Sequence, residues 1–115
     1  MRKRNRLRAS ADFKRVHRQG RTSTHRLLVL AVLANGLGYS RFGFVAGRRI
    51  GKAVVRNRVK RRMREAVRLR LQKGEIAAGW DVVLVARRPI QSASFHQVDE
   101  AIGLMLRQVS LETSQ

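Results

Sequence analysis

One stretch of the chain carries side chains suited to binding a polyanion. Residues 52 to 73 contain ten lysines and arginines but a single acid, Glu65. Arginine presents a planar set of N–H donors that matches a phosphate group, and the chain has 21 arginines against five lysines. Like charges recur four residues apart along the stretch, which opposes a helix by roughly 1–2.5 kcal/mol in total. The predicted chemistry is phosphate binding, because a polyanion would turn this repulsion into attraction.

The apolar residues of the same stretch predict the helix that positions these cations. Helical spacing is shared by a narrow apolar stripe of Val55, Val59, Met63, Ala66 and Val67. At about 100° per residue, the opposite side of the helix presents Arg61, Arg64 and Arg68. Gly74 follows the stretch and is typical of a helix end.

Other interpretations of the basic stretch fit its residues less well. A solvated helix face normally mixes both signs of charge, and a membrane-surface helix would carry a broad Trp, Phe and Leu face. A nuclear-localisation run or a calmodulin-binding helix would not be embedded in a compact domain. Residues 47–53 resemble a phosphate-binding loop, but only three residues separate the glycines and Ala53 lacks a hydroxyl for magnesium.

The polypeptide carries no recognisable set of catalytic residues. His17, His25 and His96 lack the spacing of metal ligands, and the seven acidic residues are scattered. The absence of cysteine excludes disulfides, zinc–thiolate sites and a cysteine nucleophile. The residues alone therefore predict a protein that binds RNA or DNA and has no metal site of its own.

Length and composition predict one globular domain. A chain of 115 residues with 43% hydrophobic content is long and apolar enough to form a core. No apolar run reaches the length of a membrane span, and no apolar segment follows the basic N-terminus as in a secretory signal. We expect a cytoplasmic protein with no membrane partner.

The order of elements predicts an α+β sandwich. Residues 1–9 are expected to form a flexible basic arm, and residues 10–115 a single domain. The domain is predicted to run α-β-β-α-β-α, with a possible extra short strand and helices packed against one mixed sheet. The expected elements are a helix from an N-cap at Ser10 to Gly20, strands at 26–34, 39–46 and 81–86, the basic helix, and a final helix that begins at a Ser94–Gln97 capping box. The second strand is expected to pair antiparallel with the first.

Two motifs stand out: Arg41-Phe42-Gly43-Phe44, and the run from Gly51 through Arg56-Asn57-Arg58 and Lys60-Arg61 to Arg64-Glu65. Together they closely resemble the bacterial ribonuclease P protein subunit. Residues 4–7, Asp12-Phe13 and residues 81–88 agree as well, so the resemblance covers nearly the whole chain. It implies a left-handed βαβ crossover around the basic helix, a fold shared with a domain of a small-subunit ribosomal protein, although pattern reasoning alone would favour the right-handed form.

The resemblance also implies two sets of RNA-binding residues. Contacts with the catalytic RNA would come from Arg48, Lys52, Arg56, Asn57, Arg58, Lys60, Arg61, Arg62, Arg64 and Arg68. A cleft for the single-stranded 5′ leader of precursor tRNA would be shaped by Phe13, Val16, His17, Leu28, Leu30 and Phe44. The chain departs from the family pattern at His17 and near Ala31, where aromatic residues are usual, and at Gly47, where serine is usual.

The implied function is that of an RNA-binding subunit in a ribonucleoprotein endonuclease. The RNA subunit, with its bound Mg²⁺, would hydrolyse the phosphodiester bond, and the protein would bind no cofactor. Its partners would be the catalytic RNA and the leader, and DNA is not expected. Two alternatives stay open: a ribosome-associated protein or general RNA chaperone, and an architectural DNA binder.

Overall fold

The computed structural model describes residues 1–109 and 111 and shows three helices around one four-stranded mixed sheet. The elements in chain order are α1 Ser10–Gln19, β1 Arg21–Thr24, β2 Leu28–Ala34, β3 Arg41–Val45, α2 Ala53–Gln72, β4 Trp80–Ala86 and α3 Phe95–Gln108. Short 3₁₀ turns cover Lys3–Asn5, Arg48–Ile50 and Arg88–Ser92. The α+β class and the order of the predicted elements are confirmed, and β1 is the additional short strand.

The sheet order is β1-β2-β4-β3, which corrects the expected strand pairing. β3 does not pair with β2. It pairs parallel to β4, which lies between β3 and β2. The loop from β2 to β3 therefore crosses the end of β4, which lies between these two strands. The connection from β3 to the adjacent parallel strand β4 contains α2. The left-handed sense of this crossover stays a prediction.

Helices cover both faces of the sheet. α2 and α3 pack on the face that presents Leu28, Leu30 and Val32 and form the larger core. α1 packs on the opposite face, where Val16 contacts a smaller cluster that includes Ala31. A strand that is buried on both faces needs apolar residues at every position. β2 has this composition, and helices pack on each side of it.

The two long helices begin and end close to where the sequence predicts. α2 buries the stripe residues Val59, Met63, Ala66 and Val67. The capping box at α3 is present, since the Gln97 amide donates to Ser94 Oγ and the Ser94 amide donates to Gln97 Oε1. At α1, the N-cap is Ala9 rather than Ser10.

The first nine residues pack on the domain, whereas the sequence predicts a flexible arm. The Leu7 amide donates to the Phe42 carbonyl at 2.9 Å, and the Asn5 side-chain amide donates to the Ser40 carbonyl at 2.7 Å. Leu7 is buried against the α1 face, and Met1 packs against the larger core. This segment covers the edge of β3 that has no neighbouring strand. The sequence did not predict this packing, because it paired β3 with β2.

Candidate nucleic-acid interface

The outer side of α2 is a surface of cations above a buried apolar stripe. Asn57 and Arg61 are exposed, as are Lys52 at the N-cap and Arg48 in the preceding turn. The half-buried basic residues of the helix are Arg56, Arg58, Lys60, Arg62, Arg64 and Arg68. A helix of 20 residues extends for roughly 30 Å, so these side chains can follow several phosphates. We call these ten residues the α2 surface.

Two arginines of the α2 surface are oriented by the turn that follows β4. Arg62 Nη1 donates to the Ala93 carbonyl at 2.8 Å, and Arg58 Nη2 donates weakly to the Gln91 carbonyl at 3.4 Å. The Nε groups of Arg56 and Arg58 are buried and have no hydrogen-bond partner among the described residues. The accessible donors of these two side chains are therefore at their guanidinium tips, where Arg58 Nη2 already points to the Gln91 carbonyl.

Arg68 differs from its neighbours because it already has a carboxylate partner. Its Nε and Nη2 donate to the two carboxylate oxygens of Glu65 at 2.9 and 2.5 Å. These hydrogen bonds lower the pKa of Glu65, so the carboxylate stays charged at neutral pH. The prediction that Arg68 faces away from the stripe holds, but its charge is balanced within the helix.

The structure corrects the predicted leader cleft at three residues. Val16, Leu28 and Leu30 are completely buried and cannot line an open cleft. Leu28 and Leu30 also lie on the wrong face of the sheet. They pack beneath α2 and α3, whereas Phe13, a residue of α1, packs on the opposite face. Successive strand residues alternate between faces, so the α1 face of β2 presents Val29, Ala31 and Leu33 instead.

A row of partly exposed side chains crosses the sheet beside α1. Thr24 pairs with Val29, Val29 with Val85, and Val85 with Val45, one residue from each strand. Thr24 is exposed and the three valines are half-buried. His17 is exposed on α1, four residues after Phe13, so helical spacing places it on the same side of the helix as that sheet-facing ring. We call His17 together with this row the α1 cleft. The sequence predicted His17 but missed the row on the strands, because the continuous apolar runs carry no alternation that assigns a face.

Phe13 and Phe44 lie on opposite faces of β3, and both are near its edge rather than in the α1 cleft. The Phe13 ring lies over Gly43, where a Cβ atom would be 2.4 Å from two ring carbons. Phe44 lies on the other face of β3, with the Arg64 guanidinium 5.6 Å from its ring centroid. Both rings line a groove of about 190 Å³ at this edge.

A buried carboxylate ties α1 to the sheet. Asp81 is the second residue of β4 and the first buried one. Its carboxylate accepts hydrogen bonds from Arg41, Arg15 and Asn35. Burial alone would raise the pKa of the Asp81 carboxyl, but the hydrogen bonds outweigh it and hold the pKa below its ordinary value. An acid at the start of a buried strand was the sequence signal for this cluster, although it did not identify the partners.

The described part of the chain has no candidate for two further classes of site. No group of three or more His, Cys, Asp or Glu residues there could hold a metal ion. No helix there is both long and apolar enough to cross a membrane.

Comparison with known proteins identifies the family. The family model for Ribonuclease P matches residues 1–110. The ribonuclease P protein component of Chloroflexus aurantiacus is 45% identical over 112 residues, which cover 96% of this chain and 82% of that protein. The RNase P protein from Thermotoga maritima has a TM-score of 0.77 at 34% identity, covering 89% of this chain and 96% of that one. The Staphylococcus aureus RNase P protein has a TM-score of 0.84 at 25% identity, covering 95% and 98%. With a match that extends over almost its whole length, this chain belongs to the ribonuclease P protein family.

Proposed function

We propose that the protein is the RNA-binding subunit of a bacterial ribonuclease P, with the α2 surface against the catalytic RNA and the α1 cleft around the precursor-tRNA leader. One observation carries this proposal. On the α2 surface, Arg68 alone has a carboxylate partner in the described chain, so the other cations are available to phosphates. RNA phosphates would relieve the mutual repulsion of these cations, which makes the electrostatic contribution to RNA binding favourable.

The α2 surface is suited to a folded RNA because its cations lie at different positions along the helix and point in different directions. Arg62 is fixed by the Ala93 carbonyl, whereas Arg61 extends freely into solvent. Asn57 is exposed between Arg56 and Arg58 and offers both a donor and an acceptor. We expect the arginines to contact phosphates and Asn57 to contact the RNA backbone or metal-bound water.

The α1 cleft is suited to a single strand of varied sequence. Its floor of three half-buried valines offers apolar contact without hydrogen-bond readout, and His17 offers a ring on which a base can stack. Lys14 is exposed on the same side of α1, one helical turn before His17 and Arg18, and supplies a phosphate contact. The cleft would therefore accept leaders of differing sequence.

In this proposal the protein aids a reaction whose chemistry resides in the RNA. Magnesium held by the RNA subunit supplies the metal-assisted hydrolysis. The α2 surface lowers the phosphate repulsion that otherwise requires more magnesium, because it adds fixed cations beside the folded RNA. The expected effect is a lower magnesium requirement for leader removal.

The test is cleavage of precursor tRNA by the catalytic RNA at low magnesium, with and without the protein. We expect strong stimulation, and a log–log salt slope of about −4 to −5 for about six neutralised phosphates. Changing Arg58, Arg61 and Arg64 to alanine should weaken RNA binding with the fold retained. A general RNA chaperone would instead bind any structured RNA equally and would not favour substrates that carry a leader.

A further inference from the structure

The outer side of α3 is a surface that neither proposed RNA contact uses. α3 packs with α2 on the face of the sheet opposite α1, and it also contacts β1. A groove of about 590 Å³ follows the exposed side of α3, between the turn from β1 to β2 and the C-terminal half of α2. We call this exposed side the α3 face, and its residues are His96, Gln97, Glu100, Leu104 and Arg107.

The groove at the α3 face is bordered by both signs of charge. Its acidic residues are Asp99 and Glu100, and its basic residues are His25, Arg26, Arg70 and Arg107. Two further grooves, at the N-terminal segment and at the edge of β3, are bordered by arginines and lysine and by no acid. Acids repel phosphates, so the α3 face is better suited to a protein surface of complementary charge than to RNA.

Leu104 is an exposed apolar residue at the centre of the α3 face. Its side chain is 41% exposed, whereas its apolar neighbours Ile102, Met105 and Leu106 are buried. A single exposed leucine is ordinary by itself, so the groups on either side of it decide what it can bind. Those groups are an acid one helical turn before Leu104 and an arginine one turn after it.

The two charges that flank Leu104 are available to a partner. Arg107 has no carboxylate partner in the described part of the chain, where the ion pairs of α3 are formed by other residues. Glu100 contacts His96 in an exposed ion pair within the helix. Exposed ion pairs of this kind contribute little free energy, so a better-placed guanidinium can replace the histidine.

The order of Glu100, Leu104 and Arg107 makes the α3 face complementary to itself. The two charges are seven residues apart and therefore lie on one stripe of the helix. In an antiparallel pair of α3 helices with the two-fold axis level with the midpoint between Gly103 and Leu104, residues equally far from that midpoint lie opposite each other. Glu100 of each copy is then opposite Arg107 of the other copy, and the two Leu104 side chains are adjacent.

We propose that the α3 face binds a second copy of this chain through antiparallel packing of α3 against α3. The contact is isologous, which is what a closed two-fold dimer requires. The net charge of +19 opposes association, but charges more than about 8 Å apart are largely screened at physiological ionic strength. One helix pair buries a small area, so we expect a weak dimer. Both copies keep the α2 surface and the α1 cleft free for RNA.

Charge reversal separates a specific contact from an effect of net charge. Glu100→Arg makes the chain more positive and Arg107→Glu makes it less positive, yet both place like charges opposite each other in the dimer. We expect each variant alone to raise the dissociation constant of the dimer by about tenfold or more in sedimentation measurements at physiological salt. An equal mixture of the two variants should form a heterodimer, because one copy presents two cations and the other two acids. The double variant should dimerise as the native protein does.

Lys3→Glu is the matched control, since it changes the net charge by the same amount as Arg107→Glu at an exposed site on the N-terminal segment. It should not weaken the dimer. A native protein that stays monomeric up to about 1 mM overturns the proposal. Equal losses for Arg107→Glu and Lys3→Glu, or a mixture of the two α3 variants that stays monomeric, overturn it as well.

The proposed dimer and the proposed function fail separately. At nanomolar protein a weak dimer is dissociated, so the α3 variants should stimulate cleavage of precursor tRNA as the native protein does. If these variants sediment as the native protein does while the Arg58, Arg61 and Arg64 variant loses RNA, the dimer is refuted and the proposed function stands.

Discussion

The Arg41 guanidinium and the Asp81 carboxylate face each other from neighbouring parallel strands, with hydrogen bonds of 2.8 and 2.7 Å. The Asp81 side chain has no exposed surface, while that of Arg41 is 23% exposed. Arg15 of α1 reaches the same carboxylate at 3.1 Å. The pair therefore does more than join two strands, because it also fixes the helix that forms one wall of the α1 cleft.

We predict that Asp81→Asn destabilises the protein by about 3 kcal/mol, because it leaves Arg41 without its buried partner. The pKa of the Asp81 carboxyl is lowered in the folded state, so its contribution to stability is complete above the unfolded pKa of about 4 and is lost as the pH falls through the folded pKa. Native stability should therefore fall more steeply in acid than that of the variant. Chemical denaturation from neutral to acidic pH measures both effects.

The matched substitution for Asp81→Asn is Asp99→Asn. The Asp99 carboxylate pairs with Arg70 but is 31% exposed, so its loss should cost about 1 kcal/mol or less. Equal losses for the two variants would show that burial of Asp81 is not what makes its ion pair important.

A second prediction separates the effect of where an arginine lies on the surface from the effect of losing one positive charge. Arg61→Gln on α2 and Arg107→Gln on α3 remove the same charge from exposed helical sites. We expect only Arg61→Gln to weaken binding to the catalytic RNA and to reduce the magnitude of the log–log salt slope by about 1. Affinity titrations across a range of salt concentrations measure this. Equal effects of the two substitutions would mean that the α2 surface attracts RNA only through the net charge of the protein.

Local patterns predicted the helices well because their signals lie within a few residues. The stripe from Val59 to Val67 and the Ser94–Gln97 capping box each depend on neighbours three or four residues apart. The short polar strand β1 has no such signal. It forms because β2 offers its edge, and only Ser23 of its four residues is buried.

Strand order and strand faces could not be predicted because they depend on distant residues. β2 and β4 are apolar at nearly every position, so periodicity does not tell Leu28 and Leu30 from Val29 and Ala31. A shift of one residue moves every side chain to the other face, and Leu28 and Leu30 were assigned to the wrong face for this reason. The packing of residues 1–9 likewise depends on a free β3 edge, which becomes visible only in the assembled sheet.

A third prediction concerns the single acid of the basic helix. Glu65→Gln removes the carboxylate that holds Arg68 and releases that guanidinium for phosphate, so we expect tighter RNA binding and a salt slope steeper by about 1. The pKa of Glu65 is lowered, so the native carboxylate is charged throughout neutral pH and the difference should persist there. Glu100→Gln on α3 is the control, since Glu100 pairs with His96 away from α2. Unchanged affinity in Glu65→Gln would mean that Arg68 does not reach the RNA.

The fourth prediction uses Gly43 to displace Phe13 without touching α2. In Gly43→Ala the new Cβ atom would lie 2.4 Å from the Phe13 ring, so the ring must move, and we expect the start of α1, which carries it, to shift with it. We expect a loss of stability of about 1–3 kcal/mol from this overpacking. The preference for precursor tRNA over mature tRNA should also fall, because the moved helix forms one wall of the α1 cleft, while affinity for the catalytic RNA alone should change less.

The control for Gly43→Ala is Gly38→Ala in the turn before β3, where an added Cβ atom meets nothing within 4 Å. It should leave both stability and leader preference unchanged. Measuring affinity for precursor and mature tRNA in the complex with the catalytic RNA separates the effect on the leader from a general weakening. If Gly43→Ala lowers stability but preserves the full preference for a leader, the contact between Phe13 and β3 holds the fold together without shaping the α1 cleft. Leader recognition would then depend on His17, Lys14 and the row of strand residues, and not on the position of Phe13.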